Sequence, residues 1–146
     1  MALSQTVQKK IEEWTRPPYD EKCISEIKSL ISEKNDKELN ERFAIELEFG
    51  TGGLRGLIRN GTNGMNIYVV ARATQGLANY VKKSGEKDPK AAVAYDSRLY
   101  SKEFAMETAA VLASNGIKTY IFSEMRPTPE LSYTVRKLGC VTGIVI

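Results

Sequence analysis

The chain has 146 residues, of which 42% are apolar and 27% charged, with a formal net charge of +3 and no histidine. That length suits one domain and that balance suits a soluble globular fold. It excludes imidazole acid–base chemistry and His-ligated metals within the chain, and the scattered basic residues form no stripe for nucleic acid.

In chain order, the opening residues contain no apolar core of a signal peptide, and no stretch reaches transmembrane length. A cytoplasmic protein is expected, without a membrane partner, with Cys23 and Cys140 as two ordinary reduced thiols. Residues 1–47 are charge-rich. Val7, Ile11 and Trp14 recur at helical spacing until Pro17-Pro18 interrupts them. A second helix is expected to start at Asp20 as N-cap, burying Ile24, Ile27, Leu30 and Ile31. A third covers residues 36–47 and buries Leu39, Phe43 and Leu47. This zone reads as a helical extension whose charges face solvent.

The segment Glu48-Phe49-Gly50-Thr51-Gly52-Gly53-Leu54-Arg55-Gly56 follows. Glycines allow close backbone approach and positive φ, and arginine adds a planar fork of donors that matches phosphate or carboxylate. Alone, the segment fits either a tight irregular strand lead-in or an anion cradle, and Arg55 between two glycines favours the cradle. It is neither a Walker A loop nor a dinucleotide fingerprint, because no Gly-Lys-Ser/Thr follows and Arg55 holds the third glycine position.

Beyond the turn Asn60-Gly61-Thr62-Asn63-Gly64, residues 66–83 carry a helical stripe of Val69, Ala73, Leu77, Tyr80 and Val81. Residues 91–95 form a buried apolar strand. Ser101 is expected to cap a helix through Asn115, with Phe104, Ala105, Thr108, Val111 and Leu112 inward and Asn115-Gly116 as its stop. Residues 118–122 are the next strand. Thr128 caps a helix with Pro129 in its first position and Leu131, Val135 and Leu138 buried; Gly139 ends it before a last strand over 141–146.

Strands separated by helices of this length predict a three-layer α/β/α domain over residues 48–146, with a mostly parallel (mixed) sheet of about four strands. Ligands of such sheets bind beyond the strands' carboxyl ends. That singles out Asp96-Ser97-Arg98, also readable as a helix-capping turn, and Arg126, beside a mainly structural Pro127-Thr128-Pro129. The chain stops on an apolar strand, where function would be placed, and is expected to be truncated.

Taken together, Phe49-Gly50-Thr51-Gly52-Gly53-Leu54-Arg55-Gly56, Tyr95-Asp96-Ser97-Arg98, Arg126-Pro127-Thr128-Pro129 and Gly143-Ile144-Val145-Ile146 resemble the first domain of the α-D-phosphohexomutases, the phosphoglucomutases and phosphomannomutases. The resemblance covers about residues 40–146 in the order and βαβ setting expected of that domain. The Leu-Glu-Phe-Gly-Thr form of the first motif is most similar to the phosphoglucomutase/phosphopentomutase branch. The resemblance implies a phosphoserine that donates its phosphoryl group to a sugar monophosphate, a bisphosphate intermediate, and Mg²⁺ held by that serine and by a later domain. Thr51, Gly52 and Arg55 would contact phosphate, and Asp96, Arg98 and Arg126 would line the cleft. The family's serine loop would follow Ile146, so no catalytic residue and no metal ligand is assigned in this chain. The expected partners are a sugar phosphate and the missing C-terminal domains of the same protein. Pentose phosphate mutation, a non-catalytic sugar-phosphate-binding module, and a dinucleotide domain disfavoured by the broken fingerprint are the alternatives.

Overall fold

The computed structural model describes residues 3–146, so the first two residues of the expected helical extension lie outside the described residues. The chain forms two compact units that divide after Val69.

The first unit opens with three helices, α1 (Gln5–Trp14), α2 (Glu21–Ser32) and α3 (Asp36–Phe43). Each begins on a side chain that accepts an otherwise unpaired N–H, the general requirement of a helix start. Ser4 accepts from Val7, Asp20 from Cys23 at 2.8 Å, and Asn35 from Glu38. Their apolar stripes bury Val7, Ile11, Trp14, Cys23, Ile27, Leu39 and Phe43 around Val69. Trp14 stacks on Tyr19 at 4.4 Å between ring centroids and meets the rings of Phe43 and Tyr68 edge-on. The Tyr68 hydroxyl donates to Asp20 Oδ2 at 2.6 Å and accepts from the Asp20 backbone N–H at 2.8 Å. Burial, reinforced by that carboxylate, pushes the Tyr68 phenol up to about 12. Burial likewise pushes the Cys23 thiol to about 12, which keeps it protonated and unreactive.

A short antiparallel hairpin, β1 (Phe49–Gly50) and β2 (Gly53–Leu54), pairs Phe49 with Leu54 and Gly50 with Gly53. Residues 56–66 then fold against α3 before α4 (Ile67–Lys83) begins. Here glycine is required twice. A Cβ on Gly61, at φ 124°, would lie 2.8 Å from the Arg42 carbonyl oxygen, and one on Gly64 would lie 2.2 Å from that of Arg59.

The second unit is a βαβ arrangement: β3 (Lys90–Ala94), α5 (Ser101–Ser114), β4 (Lys118–Ile121), α6 (Thr128–Leu138) and β5 (Thr142–Val145). The sheet order is β4-β3-β5 and both pairings are parallel. The central strand is fully buried from Ala91 to Ala94, as a strand covered on both faces must be. Strand alternation sends Ala91, Val93 and Tyr95 into one core with Ala78 and Val81 of α4 and Ala105 and Leu112 of α5. Ala92 and Ala94 point the other way, onto Leu131 and Val135 of α6. The result is the expected α/β/α layering.

The structure departs from expectation in several details, each with a physical reason. The sheet has three strands, all parallel, because the glycine-rich segment forms its own hairpin instead of a fourth strand. Ser101 does not cap α5: Tyr100 takes that position at φ 62°, freeing the Ser101 hydroxyl for the Ile146 carbonyl. Thr128 is the first residue of α6, with Pro127 at the cap position and no side-chain capping bond. Helix α3 stops at Phe43, so Leu47 reaches the core from the loop. Ile31 and Tyr80 are exposed. The buried stripe of α4 is rotated toward Val70, Thr74 and Ala78, where Thr74 satisfies its hydroxyl on the Val70 carbonyl and within reach of Thr108 Oγ1.

Asp20 joins two of these features, since it caps α2 and receives the Tyr68 hydroxyl. The Tyr68 bond, followed by the Cys23 N–H, holds its carboxyl below the ordinary 3.8. A carboxyl lowered on folding contributes stability that is fully present above its unfolded value and is lost as pH falls through its folded value. Asp20→Ala is therefore expected to cost about 1 kcal/mol at neutral pH, the usual worth of an N-cap. The deficit should shrink as pH falls below the ordinary value, in urea unfolding curves recorded from pH 7 to pH 2.

Candidate functional site

The residues singled out by sequence fall into two groups, one on each unit. In the first unit the hairpin turns through Thr51 and Gly52, and Gly53 completes it at φ 105°, a conformation that favours glycine. Glu48, Gly50, Thr51, Gly52, Gly53 and Arg55 line a small open hollow of about 360 Å³. The Arg55 guanidinium folds back over the turn, so that a Cβ on Gly52 would lie 2.6 Å from Arg55 Nη2. Arg55 is exposed, and among the described residues no hydrogen bond or ion pair engages it. Thr51, Gly52 and Arg55 are thus brought together, with Glu48 as the acidic group at the rim.

The second group lies beyond the carboxyl ends of β3 and β4, where parallel sheets place their ligand-binding loops. Asp96, Ser97, Arg98, Lys102, Glu124 and Arg126 are among the residues lining an open cleft of about 650 Å³. Tyr95 holds its two loops in place: its hydroxyl donates to the Ser123 carbonyl at 2.9 Å, and its carbonyl accepts from Arg126 N at 3.3 Å. Asp96 Oδ1 accepts from Arg98 N at 2.9 Å, the local turn expected of an aspartate, while Oδ2 lies 3.1 Å from Arg98 Nε. Arg126 lies between Glu124 and Glu130, each at 3.2 Å. Asp96, Arg98 and Arg126 therefore share one cleft, but both guanidinium groups are already matched to carboxylates.

Two features escaped sequence reasoning. One is the loop of residues 60–66, whose buried Thr62 and Asn66 bond backbone groups on both sides of the hairpin. The sequence marks residues 60–64 as a turn and places Asn66 immediately before a helix, but neither signal reveals these long-range bonds. The other is the cluster of Arg42, Arg59, Glu26, Glu38 and Glu41. Arg42 bonds Glu26 and, at 2.7 Å, Glu38; Arg59 approaches Glu38 at 3.5 Å and Glu41 at 3.7 Å. The Arg42 bond, more than the opposing burial, holds the Glu38 carboxyl below its ordinary value. Nothing in residue spacing beyond the helical pair Glu38 and Arg42 marks this cluster.

Among the described residues no group of three or more His, Cys, Asp or Glu side chains converges to hold a metal ion. The Mg²⁺ implied by the family resemblance therefore finds no ligand set in these residues, and the chemistry assigned to them does not pass through it. No helix among the described residues is long and apolar enough to cross a membrane.

A parallel sheet between helices, with loops gathered at the strands' carboxyl ends, defines an α/β/α domain of the doubly wound kind. Residues 46–146 match the family described as phosphoglucomutase/phosphomannomutase, alpha/beta/alpha domain I, and the chain belongs to that family. It is 36% identical to a phosphoribomutase of Saccharomyces cerevisiae over 91% of its length. It is 34% identical to a phosphopentomutase of Homo sapiens over 92%, and 41% identical to a phosphoglucomutase of Staphylococcus haemolyticus over 71%. The chain spans only 22%, 23% and 19% of those relatives, respectively. No solved structure matches it significantly.

The contact between Gly52 and Arg55 can be probed directly. Gly52→Ala is expected to displace the guanidinium, moving the Arg55 Nε–H resonance, while changing stability by less than about 0.5 kcal/mol as for most exposed sites. Heteronuclear NMR and a thermal melt of the same sample read both quantities.

Proposed function

We propose that this domain is one wall of a sugar-phosphate mutase active site, with Arg55 as its principal phosphate contact. Family membership supports the reaction class, and the uncommitted guanidinium over the Thr51-Gly52 turn supports the residue. Arg98 and Arg126 are poorer candidates for a primary contact, since an incoming phosphate would have to displace carboxylates that already neutralise them. They are assigned to the cleft lining, together with Asp96. Residues 1–47 are assigned as a helical extension and residues 48–146 as the domain proper, a division supported by the start of the family match at residue 46.

In this reading the parent enzyme moves a phosphoryl group between the 1- and 6-positions of a hexose phosphate through a phosphoserine and a sugar bisphosphate. The serine and Mg²⁺ belong to parts of the protein outside these residues; Mg²⁺ would spread charge on the transferring group when bound. Phosphoryl transfer needs positioning and fixed positive potential around a dianion more than covalent help from the protein. Arg55 supplies the charge. The Thr51 hydroxyl and the N–H groups of the Thr51–Gly53 turn supply further donors, and glycines at 52 and 53 leave the approach to them open.

A second reading has equal chemistry: the substrate is a pentose 1- or 5-phosphate. It is favoured by the relatives named phosphoribomutase and phosphopentomutase, which align over 91% and 92% of this chain. A non-catalytic sugar-phosphate-binding module is the remaining alternative, and turnover by the full-length gene product would remove it. Arg55→Ala in that protein should lower kcat/KM by about 10²-fold, the cost of losing one preorganised electrostatic donor. Coupled assays with glucose 1-phosphate and ribose 1-phosphate identify the sugar; wild-type kinetics in the variant on both substrates would contradict the role of Arg55.

A further inference from the structure

We infer that Thr62 and Asn66 are positioning residues that clamp the two ends of the glycine-rich hairpin and so fix where Arg55 presents its charge. The inference rests on the proposed reading of Arg55 as a phosphate contact, and it gives a role to a loop otherwise readable only as a turn.

The hairpin is short. Two pairs of residues form its ladder, too few to stand alone in water. Its exposed Phe49 buries little surface, and the turn glycines add backbone freedom. Something outside the hairpin must hold it. On the incoming side, the Thr62 hydroxyl donates to the Ile45 carbonyl at 2.7 Å, and the Thr62 carbonyl accepts from Leu47 N at 2.8 Å. On the outgoing side, Met65 N donates to the Leu57 carbonyl at 2.8 Å, and Gly56 packs so tightly on Leu47 that a Cβ there would meet Cδ1 at 2.8 Å. The segments leading into and out of the hairpin are thus tied to one four-residue stretch.

Asn66 holds that stretch in shape. Its buried side-chain amide donates toward three carbonyls, Arg59 at 2.9 Å, Gly61 at 3.0 Å and Gly64 at 3.3 Å. Its Oδ1 accepts from Val69 N at 3.0 Å in the first turn of α4. One side chain therefore closes the loop and anchors it to a helix. Thr62 is itself only 4% exposed, so its hydroxyl has no solvent alternative and stays committed to the Ile45 and Arg42 carbonyls. Arg55 follows β2 directly, so the angle at which its side chain leaves the backbone is set by this clamp. An electrostatic donor works best when held in advance where charge will reside.

Reciprocity gives a test on the unaltered chain. If a closed clamp is needed for phosphate binding, bound phosphate must stabilise the closed clamp to the same degree. With glucose 1-phosphate at ten times its dissociation constant, exchange of the Leu47 and Met65 amides through local opening should slow about tenfold, with Val93 in the second unit unchanged. Thr62→Val, which keeps the shape but removes the hydroxyl, should weaken glucose 1-phosphate binding about tenfold at unchanged far-ultraviolet circular dichroism, equivalent to about 1.4 kcal/mol. Thr62→Ser should restore it. Unchanged exchange at Leu47 and Met65, with binding present in wild type and lost in Arg55→Ala, overturns the positioning role and leaves the phosphate reading intact. Failure of the wild-type chain to bind glucose 1-phosphate, or undiminished binding by Arg55→Ala, overturns the phosphate reading and this inference with it. The exchange measurement decides the matter even if Thr62→Val does not fold.

Discussion

The loop that follows the glycine-rich hairpin rests on Arg42, a guanidinium largely removed from water and shared between α2, α3 and that loop. Burial works against its charge, but the carboxylates of Glu26 and Glu38 outweigh that penalty and hold its pKa above the ordinary arginine value. A third contact runs to the Asn60 carbonyl at 3.3 Å, and Glu26 in turn accepts from the Asn60 amide at 2.6 Å. Breaking a pair of this kind from one side leaves the remaining charges poorly compensated, so the cluster favours a single arrangement of helices and loop. Gly61, with no Cβ, lets the loop lie directly on the Arg42 backbone. The clamp formed by Thr62 and Asn66 is built on that foundation.

The second unit solves a different problem by different means. Its central strand has small residues at Ala91, Ala92 and Ala94, which let helices pack on both faces. Gly143 on β5 continues the theme, because a Cβ there would lie 2.6 Å from Val135 of α6. The product is a platform whose carboxyl-end loops carry Asp96, Arg98, Glu124 and Arg126. Those groups are internally paired, in contrast to Arg55, and this asymmetry separates a residue suited to meeting an anion from residues suited to shaping a cleft.

Most of this architecture was legible in the sequence because its signals are local. Asp20 as N-cap, the Asn115-Gly116 and Gly139 stops, and the apolar strand before Asp96 follow from capping, positive φ and burial rules that act within a few residues. What was hidden depends on partners far along the chain. Ser101 looks like an N-cap until the Ile146 carbonyl competes for its hydroxyl. Tyr80 looks buried until Thr74 and Thr108 satisfy each other and turn that face of α4 inward. Asn66 and Arg42 show only local signals, a helix start and a helical pair with Glu38, since their other carbonyl and carboxylate partners are recruited from separate elements. The candidate site was half-visible for the same reason: Arg55 and its glycines form a motif, whereas the residues proposed to hold them do not.

In the proposed reading phosphate, and not the sugar ring alone, is recognised at the Thr51–Gly53 turn by Arg55. Two NMR titrations of the ¹⁵N-labelled chain, one with glucose 1-phosphate and one with glucose, test it most directly. The Thr51, Gly52 and Gly53 amides and the Arg55 Nε–H should move with the phosphorylated sugar and stay still with glucose. Equal shifts with both sugars, or shifts with glucose 1-phosphate that leave those four signals unmoved, would contradict it.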